Sequence, residues 1–130
     1  MKTIFLRMTI LTLISSLVIS CSKGDSQTTT TNFQYQGNWS GNFTGTQDNG
    51  SWTANVNSSG VATGTATSVV FSNTYQLNGT VNNQGVFVAT IGTASTGAKF
   101  NGQMTTAGVA NGTWVNTNAG MNGNWNGTKN

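Results

Sequence analysis

The sequence predicts an all-β fold, an antiparallel up-and-down meander of about eight strands closed into a small β-barrel. Three observations predict it. A short phrase recurs, with a large apolar residue, a small polar one, Gly, any residue and a second apolar one: Trp39-Ser40-Gly41-Asn42-Phe43, Leu77-Asn78-Gly79-Thr80-Val81, Phe100-Asn101-Gly102-Gln103-Met104 and Met121-Asn122-Gly123-Asn124-Trp125. Its period of two belongs to strands with one buried face. Between the copies, clusters of Asn, Ser, Thr and Gly recur at the short spacing of successive hairpins. Finally, Gly37-Asn38-Trp39-Ser40-Gly41 returns as Gly123-Asn124-Trp125-Asn126-Gly127. First and last strands this alike are expected to pair, which removes both open sheet edges. An open or sandwiched meander is the alternative arrangement.

In chain order, residues 1–20 come first. Lys2 and Arg7 supply positive charge, the stretch from Ile4 to Ile19 is mostly apolar, and Ser20-Cys21 ends it. A charged start, a short apolar core and a small residue at the cut make a secretory signal peptide. Val18-Ile19-Ser20-Cys21 resembles the bacterial lipobox, and that resemblance implies that Cys21 is acylated and becomes the first residue of the mature chain. Acyl chains bury about 0.8 kcal/mol per methylene, so a multiply acylated cysteine is a stable membrane anchor. Ser22 in place of Asp implies, by analogy with Gram-negative lipoprotein sorting, the outer membrane. Lys23-Gly24-Asp25 resembles in part the charged signals of surface-exported lipoproteins, so the periplasmic and surface faces both stay open.

Residues 21–36 contain little apolar material besides Phe33 and Tyr35. They read as the lipidated cysteine and a Ser/Thr-rich tether, with the two aromatics either starting the first strand or packing beneath the barrel. The barrel domain occupies 37–130. Its inward residues are expected to be Trp39, Gly41 and Phe43; Trp52, Ala54 and Val56; Tyr75, Leu77, Gly79 and Val81; Phe87, Ala89 and Ile91. The last three strands add Ala98, Phe100, Gly102 and Met104; Ala110, Gly112 and Trp114; Met121, Gly123, Trp125 and Gly127. The third strand is ambiguous, because Ala62-Gly64-Ala66 and Val69-Phe71 fall in opposite phases; a bulge near Thr67 would reconcile them. Inward glycines leave room for an aromatic ring to lie across the backbone.

The succession of glycine-punctuated hairpins looks like the eight-stranded barrels of transferrin-binding-type surface lipoproteins. The stretch from Gly37 through Gly64-Thr65-Ala66 to Tyr75-Gln76-Leu77-Asn78-Gly79-Thr80 also resembles avidin-like barrels. Both resemblances imply a fold and carry over no site residue.

Composition narrows the function. Charged residues are 5% of the chain, with no His and no Pro. Beyond residue 20 there remain Lys23, Lys99 and Lys129 against Asp25 and Asp48, a net of +1, so no basic patch exists to track nucleic acid. No Glu is present, and the two aspartates fall in the tether and in a hairpin loop, so no carboxylate pair serves acid–base chemistry and the chain reads as a non-enzyme. No His/Cys cluster offers a metal site, a single loop carboxylate makes a poor calcium site, and no cofactor is implied. Trp39, Trp52, Trp114 and Trp125 are the candidate ligand-binding residues, since an indole face beside Asn and Thr suits a glycan or a small apolar molecule. The same residues fall in the inward phase of their strands, where they would be core. The expected function is therefore a lipid-anchored envelope or surface lipoprotein with a non-catalytic structural or binding role; the alternative is a ligand-binding barrel. A protein partner engaging the hairpin loops is a third reading.

Overall fold

The computed structural model describes residues 33–130; residues 1–20, Cys21 and most of the expected tether lie outside the described residues. The strands are β1 (Gly37–Gly45), β2 (Asn49–Val56), β3 (Val61–Ser68), β4 (Asn73–Val81), β5 (Val86–Ile91), β6 (Ala98–Met104), β7 (Val109–Asn116) and β8 (Met121–Lys129). Each pairs antiparallel with the next, and β8 returns to β1 to close the barrel. The closing register runs from Trp39↔Lys129 to Gly45↔Gly123. Closure covers both edges of the sheet, which suits a polar, low-charge and proline-free exterior that could otherwise pair with another chain.

The period-two pattern sets which face is buried. Trp39, Phe43, Trp52, Leu77, Phe87, Phe100, Met104, Trp114 and Trp125 all lie in one buried cluster that fills the interior. Glycine makes that filling possible at particular register positions. Gly102 and Gly112 face each other across β6 and β7. A Cβ on Gly112 would stand 2.7 Å from the Trp125 ring, and one on Gly102 would strike the same indole. The two glycines thus form the floor on which Trp125 lies, and the ring stacks on Phe100 at 5.8 Å and 9°. Alternating bulk and absence of bulk packs large rings into a narrow cylinder.

β3 departs from the expected bulge. Its pairing with β2 runs unbroken from Gly50↔Ser68 to Val56↔Ala62. The strand ends at Ser68, which stays in phase with Ala62 and Ala66 and is buried, and the chain then turns. Val69, Val70 and Phe71 sit on that turn, 65%, 54% and 52% exposed, and Ser72 takes a positive φ of 50°. The change of phase is the end of a strand, with apolar residues carried outward on the turn.

At the end of the expected tether, Phe33 and Tyr35 take the second of their two expected places. Tyr35 is buried, Phe33 packs against the core, and the two rings meet edge to face at 5.4 Å. Gln36 N–H donates to Phe33 O at 2.7 Å, forming a tight turn before β1. Residues 33–36 are therefore part of the domain and pack beneath the barrel. We call this end proximal and the opposite one distal.

Candidate functional site

The proximal end is sealed and regular. Its three hairpin turns, 57–60, 82–85 and 105–108, repeat one design. The Gly at the fourth position donates its N–H to the carbonyl of Asn57, Asn82 or Thr105 at 2.9–3.1 Å, and its φ is +79°, +80° or +82°. Asn57 Oδ1 accepts from Ser59 and Val61 N–H, Asn82 Oδ1 from Gln84 and Val86 N–H, and Thr105 Oγ1 from Val109 N–H. This is the three-residue hairpin with glycine in the left-handed position. The N-terminal segment closes the ring: a Cβ on Gly85 would stand 2.9 Å from the Tyr35 ring, and one on Gly60 would stand 3.3 Å from Phe33.

The distal end has four loops of unlike sequence, at 46–48, 69–72, 92–97 and 117–120, of which 69–72 and 117–120 share a length. Among them opens a cavity of about 220 Å³. Apolar side chains from Phe43, Ala66, Phe71, Tyr75, Ile91 and Trp114 contribute to its lining. Into this lining come two buried polar side chains, Asp48 at 8% and Ser68 at 2% exposure. Ser68 Oγ donates to Asp48 Oδ1 at 2.6 Å, and Asn49 N–H donates to the same oxygen at 2.8 Å. Phe71 N–H donates to Ser68 Oγ at 3.0 Å. A continuous relay therefore links the exposed apolar turn to the carboxylate inside the mouth. Asn116, Thr93 and Thr96 add neutral polar groups. Thr93 and Thr96 hydroxyls meet at 2.6 Å, and Asn116 Nδ2 donates to Thr96 O at 3.2 Å, which ties the longest loop to β7.

The four tryptophans are distributed unequally with respect to this cavity. All four are buried, and each indole N–H is spent on a main-chain carbonyl. Trp39 donates to Tyr35 O at 2.8 Å, Trp52 to Asn126 O at 3.0 Å, and Trp114 to Thr44 O at 3.1 Å. Trp125 divides its donor between Asn101 O and Thr113 O. Trp52 stacks near Phe87 and meets Trp125 edge-on at 5.5 Å. Trp39, Trp52 and Trp125 lie away from the cavity lining; Trp114 borders it together with Phe43, which it meets edge-on at 5.7 Å. Asp48, Ser68, Phe71 and Tyr75 were not expected from sequence to form a site. The available signal was Ser68, a polar residue in the inward phase of its strand.

A second depression crosses the outer surface between β1, β8 and β7, lined by Ser40, Asn42, Asn111, Asn126 and Thr128 among others. It is shallow and uncharged, with no aromatic face in its lining, so it offers hydrogen bonds but no surface for stacking. Cys21 lies outside the described residues. Among the described residues, no group of three His, Cys, Asp or Glu gathers to hold a metal ion.

Chemically, the distal mouth offers an apolar chamber with one carboxylate and several hydroxyl and amide groups at its sides. That equipment suits binding: the apolar surface supplies affinity and the few polar groups supply orientation. Comparison with protein-family models, curated proteins and solved structures gives no match to this chain.

Proposed function

We propose that this chain is a lipid-anchored lipoprotein of the bacterial outer membrane, attached through Cys21, whose barrel has a non-catalytic binding role at its distal mouth. The observation that carries this reading is the inequality of the two ends. The N-terminal segment enters at the end that Phe33 and Tyr35 close, and the cavity with its carboxylate sits at the other. A chain anchored at Cys21 would present its open mouth away from the lipid. The lone carboxylate, with no His or Glu in the chain, supports binding over catalysis. An Asn/Thr-rich exterior of low charge supports a module exposed to solvent in the envelope.

Two measurements test the reading. Metabolic labelling with an alkyne palmitate analogue should mark the chain, and Cys21→Ala should abolish the label and release the protein from the outer-membrane fraction. A thermal-shift screen of the full chain against glycans and small apolar molecules should yield a saturable rise in Tm, because a ligand at 100 times its Kd adds about 2.7 kcal/mol. Of the four candidate tryptophans, Trp114 should carry any accompanying change in emission. A labelled chain that no ligand stabilises would leave the barrel a structural element of the envelope and defeat the binding role.

A further inference from the structure

The proposed binding role of the distal mouth extends to the chemistry of its ligand, an extension that rests on that role. We infer that the mouth takes a small organic cation, an ammonium group on an apolar body, with Asp48 as the counter-charge and Phe71, Tyr75 and Trp114 around the apolar part.

A carboxylate held largely out of water has lost part of its hydration, and a counter-charge offsets that loss. Asp48 is nine-tenths buried and borders the cavity. Among the described residues there are two cationic side chains. Lys99 is exposed on β6 beside the inward Ala98, and Lys129 lies at the proximal end, where its Nζ reaches Gln34 O at 3.5 Å. Neither serves Asp48.

The two carboxylate oxygens are used unequally. Both hydrogen bonds to this group from the described residues go to Oδ1, from Ser68 and Asn49. Every sealed side-chain oxygen or nitrogen among the described residues has a partner. Oδ2 is therefore open to solvent. Oδ1 is held in place by two donors, while Oδ2, on a residue that borders the cavity, accepts no hydrogen bond from the described residues. Such a fixed, half-satisfied carboxylate is preorganised for one more donor, and a charged donor makes the strongest bond.

Aromatic faces favour cations as well. A cation near the face of Trp, Tyr or Phe is drawn by the ring quadrupole, most strongly where water is excluded. Phe43, Phe71, Tyr75 and Trp114 all border the chamber that Asp48 borders. Its roughly 220 Å³ lies below the range of about 300–1,000 Å³ common for ligand pockets, which limits the occupant to fragment size. An anionic ligand would meet Asp48 with no compensating base, and a glycan would find hydroxyl partners but one carboxylate left without its counter-charge.

Isothermal titration of the full chain in a neutral detergent tests the inference, with benzylammonium and benzyl alcohol as probes. The expected result is saturable benzylammonium binding roughly tenfold tighter than benzyl alcohol, the equivalent of one charge-assisted contact. That affinity should fall as salt rises and drop to the level of the alcohol in Asp48→Asn. Equal affinity for the two probes, indifferent to salt and to Asp48→Asn, overturns the cation inference and leaves the mouth an apolar binding site. Binding of neither probe overturns the cation inference too, and the thermal-shift screen then decides separately whether the mouth binds anything. Asp48→Asn keeps an oxygen to accept from Ser68 and Asn49. Should the variant nevertheless unfold, the salt dependence and the alcohol comparison in the unmodified chain still decide between a cation site and an apolar one.

Discussion

At the proximal end, which Phe33 and Tyr35 close, three hairpins share one design, and each turn glycine's carbonyl accepts from the neighbouring strand: Val81 N–H to Gly60 O, Met104 N–H to Gly85 O and Lys129 N–H to Gly108 O. At the distal end the loops depart from that design, an apolar turn stands exposed, and a carboxylate borders an open chamber. The same eight strands supply both ends. The proximal ring holds the cylinder shut and repeats because every hairpin there faces the same task. The distal loops are free of that task, and a rigid scaffold with variable loops is where binding groups tend to gather.

The comparison can be broken most forcefully at the plug. Tyr35→Ala empties a buried aromatic site while keeping the main-chain carbonyl that accepts from Trp39, so chemical denaturation should show a loss of about 3 kcal/mol from the lost ring. Next come two glycines with similar backbones and different surroundings. Gly85→Ala forces a left-handed φ, at a cost of about 1–2 kcal/mol, and also drives a Cβ into the Met104 carbonyl and the Tyr35 ring. Gly120→Ala imposes the same kind of φ at the distal end with nothing within 4 Å, so its loss should stay near 1 kcal/mol. Equal losses at the two positions would show that the ends are packed alike. Asn82→Ala removes a side-chain oxygen that accepts from two backbone N–H groups and should cost about 1 kcal/mol, read from the shift in urea midpoint. Smallest for stability is Phe71→Ser, where an exposed side chain is replaced; the change should stay within about 0.5 kcal/mol while distal ligand binding weakens.

Much of the scaffold was legible because its signal is local. The alternation along β1 or β6 can be read within one strand, and the twin phrases around Trp39 and Trp125 foretold the closing pair. Burial of the aromatics followed from the same alternation. The site was less legible because its residues are far apart in sequence: Asp48, Ser68, Tyr75 and Trp114 come from four separate segments. Periodicity also misleads at strand ends. It treats Val69 and Phe71 as buried because they are apolar, although a turn at Ser68 throws both outward. Tyr35 is the converse case, an aromatic before the first strand whose place was settled only by the shape of the barrel end.

The seam between β1 and β8 has a consequence for biogenesis. Residues as distant as Trp39 and Lys129 pair there, so the barrel cannot close until its final strand has been made. Contacts of such separation delay folding, because the entropy of a long loop is spent before they form. Until then β1 exposes a bare edge. A chain threaded N-terminus first through a membrane would therefore stay open throughout its passage and close on the far side, where no prolyl isomerisation slows it, since the sequence contains no proline.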